Sequence, residues 1–145
     1  MGRLPVSAAV LLDTHVLVWL LEGNPRLGAE ARTRIQAATG ADALYVAAIT
    51  PWEIAMLVSK GRLRLGMDVG QWIKKALALP GIRLLPLSPD IAVRSVELPG
   101  DIHADPADRM LIATARSLGV PLVTADGLIQ QYGTQGYLDV IGAEQ

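Results

Sequence analysis

Short apolar runs alternate along this chain with segments of helical periodicity, and acidic residues mark four of the transitions. They stand in Val10-Leu-Leu-Asp13, in Thr50-Pro-Trp-Glu53, in Asp105-Pro-Ala-Asp108 ahead of Arg109-Met-Leu-Ile-Ala-Thr, and in Leu122-Val-Thr-Ala-Asp126. Strand-length runs alternating with helix-length patterns describe βαβ units around a parallel sheet. A near-continuous apolar strand such as Ala8–Leu12 suits a sheet covered by helices on both faces. Open sheets of that kind bind ligands outside the carboxyl ends of their strands. An α/β fold with acids gathered at one edge of the sheet is therefore expected.

The periodicity predicts strands over Ala8–Leu12, Leu44–Ala48, Ile82–Leu87 and Pro121–Thr124, with a short fifth over Leu138–Ile141. Helices are expected over Thr14–Glu22, stopped by Gly23-Asn-Pro25, and over Gly28–Ala38. A third opens with Thr50 as cap, Pro51 at the first helical position and Glu53 completing a capping box, and closes at Gly61. Val69, Trp72, Ile73, Ala76 and Leu77 follow the spacing of an amphipathic helix. Ser88-Pro89-Asp90 and Asp105-Pro106 start two more, the latter running to about Leu118.

A length of 145 residues with 51% apolar and 19% charged residues fits one well-packed domain. There is no Phe, so Leu, Val, Ile and Ala must fill most of the core. The lack of cysteine excludes disulfides and thiolate metal sites and fits a reducing cytoplasm. Arg3 and the apolar run to Leu12 imitate a signal peptide, but Asp13 ends the run and no cleavage-site pattern precedes a polar start, so the run reads as a buried strand. No apolar stretch approaches the roughly 18 residues that span a bilayer. The net charge of −1 means that any surface for nucleic-acid phosphates must be local.

Taken singly, each acid has a plain structural explanation. Asp13 and Asp126 suit turns or caps, Glu53 a capping box, Asp105 a helix cap, and Asp108 the positive end of a helix dipole. Taken together, acids at one edge would repel each other and raise one another's pKa values. A hard divalent cation such as Mg²⁺ removes that penalty, taking one or two carboxylates directly and keeping several waters. The same cation supports phosphodiester hydrolysis by activating water and stabilising phosphate charge.

Further candidates surround the acids. Thr14 and Thr124 flank Asp13 and Asp126, where hydroxyls orient a carboxylate or form ordinary turn bonds. His103 reads as a proton donor or a loop residue, and His15 as a local helix-start residue, since no zinc set is present. Lys60, Arg62 and Arg64 read as an RNA-backbone contact or a solvated face. Arg109 reads as a structural partner for an acid or a phosphate contact. Trp19 and Trp52 lie in apolar segments and are expected in the core.

Five blocks carry a resemblance to a known family. They are Leu11-Leu-Asp13-Thr-His-Val-Leu-Val-Trp19, Trp52-Glu-Ile-Ala55, Gly61-Arg-Leu-Arg-Leu65, Asp105-Pro-Ala-Asp-Arg-Met-Leu-Ile-Ala-Thr-Ala115 and Leu122-Val-Thr-Ala-Asp126. In this order they resemble PIN-domain proteins, and among those the VapC-type toxins of bacterial toxin–antitoxin pairs. The resemblance covers about Val10 to Tyr132 and implies a PIN-like α/β/α sandwich with a mainly parallel sheet of four to five strands. It also implies an endoribonuclease dependent on Mg²⁺ or Mn²⁺, a VapB-like antitoxin that blocks the cleft, and a homodimer. Motif matching makes Asp13, Glu53, Asp108 and Asp126 the catalytic and metal-binding acids, with Asp13 and Asp108 the most direct ligands. Thr14, Thr124 and Asp105 follow as secondary candidates.

The whole chain, 1–145, is expected to be a single PIN domain, with 1–7 an N-terminal extension. Ala104 departs from the family pattern, standing where a basic residue often appears, which removes one possible phosphate contact. Two alternatives remain. A PIN-like protein that binds RNA or a partner without cutting would be expected to lack an acid. A receiver-type signalling domain would carry an acidic pair after its first strand, where Leu12 precedes Asp13, and a Lys where Asp126 stands.

Overall fold

The computed structural model describes residues 7–145, so the expected extension lies, apart from Ser7, outside the described residues. Strand β1 (Val10–Leu12) leads into α1 (Thr14–Glu22) and α2 (Ala29–Gly40), then β2 (Leu44–Ala47), α3 (Ile49–Ser59) and α4 (Val69–Leu77). Strand β3 (Ile82–Leu85), α5 (Pro89–Val96), α6 (Pro106–Leu118), β4 (Leu122–Thr124), α7 (Gly127–Thr134) and β5 (Val140–Gly142) complete the fold. Among the described residues the five strands form one sheet in the order β3-β2-β1-β4-β5, and every pairing is parallel. The central β1 pairs Leu11 with both Tyr45 and Leu122. Among the described residues no helix is long and apolar enough to cross a membrane.

The alternating side chains of β1 explain the layers. Val10 and Leu12 point into a core with Val16, Leu17 and Trp19 of α1, Ile35 of α2 and Trp72 of α4. Leu11 points the other way, to Leu111 and Ile112 of α6 and Ile129 and Tyr132 of α7. All three β1 residues are fully buried, which is why the strand is apolar without a break. The result is the expected α/β/α sandwich.

Several local expectations need correction. Helix α3 begins at Ile49, with Ala48 already in helical conformation at its cap. Ala48 donates the last sheet bond, to Leu85, and the chain turns straight into the helix. Thr50 and Pro51 therefore lie inside the first turn, where a proline's missing N–H costs nothing. No capping box forms; the Thr50 hydroxyl is buried against the Thr14 hydroxyl at 3.1 Å. Trp52, expected in the core, is 56% exposed on the outer face of α3, while Trp72 is buried within this chain's own core. Helix α7 was not expected, because Gly127 and Gly133 weaken its helical pattern. Asp126 supplies its start by accepting from the backbone N–H groups of Leu128 and Ile129.

Candidate active site

The parallel topology sends β1, β2 and β4 toward the same edge, and three of the four acids follow those strands closely. Asp13 leaves β1 and caps α1, its Oδ1 accepting from the Thr14 N–H at 2.7 Å. Its Oδ2 accepts from the Thr124 hydroxyl at 2.6 Å. That hydroxyl accepts in turn from the Asp126 N–H at 3.0 Å, so its single hydrogen is committed to Asp13. One threonine at the end of β4 thus ties the first acid to the turn that carries the last. Asp126 uses Oδ1 for both of its capping bonds.

Glu53 projects from the first turns of α3, and its Oε1 is buried with no hydrogen-bond partner among the described residues. A capping box would have used that oxygen. Asp108 lies one turn into α6, where Asp105 does the capping by accepting the Asp108 N–H at 3.0 Å. The Asp108 Oδ2 meets His103 Nε2 at 2.6 Å. The structure thus pairs His103 with the third acid, a contact that the loop sequence ahead of α6 does not reveal.

Electrostatics couple these groups to one another. Burial raises the pKa of Asp13, partly offset by the Thr124 and Thr14 bonds, and the charge on Asp126 raises it further. Burial also raises Glu53, with Asp13 and Asp105 adding to the effect and the Thr14 hydroxyl opposing it. Asp108 is pushed up to about 6, chiefly by burial, with Asp13, Asp105 and Asp126 acting in the same sense and the His103 bond against it. Asp13, Glu53, Asp105, Asp108 and Asp126 therefore form one electrostatically connected group. Among the described residues no three of them converge tightly enough to make a ready-made ligand set.

The raised pKa values set a sign for stability. An acid whose pKa is higher in the folded chain contributes stability that is complete below its unfolded value and lost as pH rises through the folded value. For Asp108 that window runs from 3.8 to about 6. Metal-free protein is expected to show a falling Tm across this window, and Asp108→Asn a shallower fall. Calorimetry at a series of pH values checks this, and an equal slope in the two proteins would contradict it.

The basic candidates separate into two kinds. Lys60, Arg62 and Arg64 are exposed beyond the end of α3, with Lys60 roughly 10 Å along the helix from Glu53. Arg109 makes no acid pair among the described residues. Its guanidinium donates to the carbonyls of Ser95 at 2.8 Å, Ile102 at 3.0 Å, Val96 at 3.2 Å and His103 at 3.3 Å. It binds the end of α5 and the following loop to α6. His15 is exposed at the start of α1, where it acts against the burial that raises Asp13 and Glu53. The phenol of Tyr132 donates to the Pro99 carbonyl at 2.6 Å and pins the same loop as Arg109.

Comparison with known proteins bears on the family and the fold. The PIN domain family model matches residues 10–134. The chain is 37% identical over 123 residues to Ribonuclease VapC22 of Mycobacterium tuberculosis, an alignment covering 85% of this chain and 91% of that protein. VapBC2 from Rickettsia felis, crystallised with a DNA fragment from its promoter, superimposes with a TM-score of 0.67 at 15% identity, covering 92% of this chain and 97% of that one. FitAcB from Neisseria gonorrhoeae gives 0.63 at 22% identity, with coverages of 92% and 97%. The chain belongs to the PIN-domain family, and within it to the VapC type.

Proposed function

We propose that this chain is a metal-dependent endoribonuclease acting as the toxin of a toxin–antitoxin pair in the cytoplasm. The observation that carries the reading is the buried Oε1 of Glu53, unpartnered among the described residues, within a group of mutually repelling acids. Uncompensated burial of carboxylates is costly, so such a group calls for a cation. The donor set is made of hard oxygens and suits Mg²⁺ or Mn²⁺. Asp13 and Asp108 would hold the ion directly, with Glu53 and Asp126 acting through waters or a second ion. When bound, such an ion lowers the pKa of a water and stabilises charge on the phosphoryl oxygens.

The protein's own groups prepare that chemistry. Thr124 and the Thr14 N–H fix both oxygens of Asp13, so that it need not reorganise on binding. Thr14 also joins α1 to α3 through Thr50, which sets Glu53 relative to Asp13. A protein that only bound RNA would have no use for four such acids, and none has been lost. A structural neighbour at 22% identity is a toxin–antitoxin complex from Klebsiella pneumoniae. On that analogy a VapB-like antitoxin is the natural partner; a homodimer is the assembly that the family resemblance implies.

Purified protein free of antitoxin is expected to cut single-stranded RNA with Mg²⁺ or Mn²⁺, to stop in excess EDTA, and to resume when the metal is restored. Cleavage that persists in EDTA would reject the metal-dependent reading. A protein that binds RNA but leaves it intact with either metal would favour the silent alternative.

A further inference from the structure

The His103–Asp108 contact is not accounted for by the acids alone. His103 sits in the loop between α5 and α6, and its Nε2 lies 2.6 Å from Asp108 Oδ2. Its Nδ1 is buried with no hydrogen-bond partner among the described residues. An ionised Asp108 can only accept, so the ring hydrogen in this contact lies on Nε2 and Nδ1 is bare. A hydrogen on both nitrogens would bury a charged donor with nothing to receive it. Such a ring orients a carboxylate by a hydrogen bond without bringing a positive charge into the cleft.

The surroundings hold the ring there. Arg109 donates to the His103 carbonyl and to that of Ile102, while Tyr132 holds Pro99. Asp105 fixes the Asp108 backbone from the other side. Asp108 is thus held at its N–H and at Oδ2, and its Oδ1 makes no protein hydrogen bond among the described residues. The loop is anchored independently of the imidazole, so removing the ring is expected to leave the fold in place.

We propose that His103 is a positioning residue for Asp108: its Nε2–H fixes one carboxylate oxygen so that the other is presented to the acidic cleft and to a divalent cation there. This rests on the metal-dependent reading of the cleft. Hydrogen bonds to a ligating carboxylate set its orientation, and losing such an outer partner typically weakens metal binding about 10- to 100-fold.

The test uses the full chain and Mn²⁺ itself as the probe. Calorimetric titration should show His103→Ala binding Mn²⁺ about 10- to 100-fold more weakly than wild type, with an unchanged Tm in the metal-free state. RNA cleavage at saturating metal should show a lower kcat with KM for RNA little altered. His103→Gln, whose amide N–H lies close to where Nε2 was, should recover most of both. Nitrogen-15 NMR of the metal-free protein should show a ring protonated at Nε2 and bare at Nδ1, with the signals shifted in Asp108→Asn. Wild-type Mn²⁺ affinity in His103→Ala, or a ring protonated at Nδ1 alone, would overturn the proposal while leaving the nuclease reading intact. A wild-type chain that bound no Mn²⁺ and cut no RNA would overturn both.

Discussion

Asp13→Asn is expected to lower RNA cleavage by about 10²–10³-fold or more, the scale on which a single group stabilising transition-state charge contributes, and to abolish growth inhibition while the chain stays folded. The argument comes from the two hydrogen bonds at this carboxylate. Thr124 donates to one oxygen and the Thr14 N–H to the other, so the residue works as an acceptor at both. Asparagine keeps one acceptor and turns a donor toward the other group, which costs about 1 kcal/mol. Against that, it removes a charge whose burial and neighbouring acids disfavour it. The two effects oppose each other, so the Tm of metal-free protein should fall little, or rise. The loss of the charge is not offset in the loaded cleft. A fluorogenic single-stranded RNA assay beside a thermal melt separates the two outcomes, and full cleavage by the variant would remove Asp13 from the site.

The second large effect belongs to Arg109. Truncation to alanine leaves the carbonyls of Ser95, Val96, Ile102 and His103 without their shared donor. Bonds from a charged donor are worth about 1.5–3 kcal/mol each when buried, but this guanidinium is half-buried and water replaces part of the loss. A net cost of about 2–3 kcal/mol is expected, or a drop in Tm of roughly 5–10 °C for a domain of this size. Lysine should not rescue it, because a single ammonium cannot reproduce a planar fork reaching both the end of α5 and the loop. Weakened RNA binding with an unchanged Tm would instead make Arg109 a phosphate contact.

What could be read from the residues alone depended on how local the cause was. Val10-Leu-Leu followed by Asp13 announces a buried strand and a helix start because both signals lie within four residues. Asp105-Pro106 announces the start of α6 for the same reason, and the cap forms as expected. The Thr50-to-Glu53 pattern was equally local yet misleading. Whether β2 would run straight into a helix depended on its bond to Leu85 on a neighbouring strand, which leaves no mark near Thr50. Trp52 shows that an apolar residue in an apolar segment need not be buried, since only the direction of the helix decides its face. The partners of Arg109 are main-chain carbonyls, identical at every residue and so invisible in any side-chain pattern. His103 is the same kind of case, because its contact exists only once the loop ahead of α6 has taken its shape.

The position of β1 in the middle of the sheet has a consequence for how the protein comes into being. Its neighbours are β2 and β4, and the bond from Thr124 to Asp13 joins residues 111 positions apart. Domains emerge from the ribosome N-terminal end first, at about 5–20 residues per second. The first acid is therefore made early but has no Thr124 to hold it until nearly the whole domain has been synthesised. A partly made chain contains Asp13, Glu53 and Asp108 but not the strand that aligns them. If Asp13 belongs to the catalytic cleft as proposed, a nascent chain is expected to gain nuclease activity only after β4 has left the ribosome and Thr124 can bond Asp13.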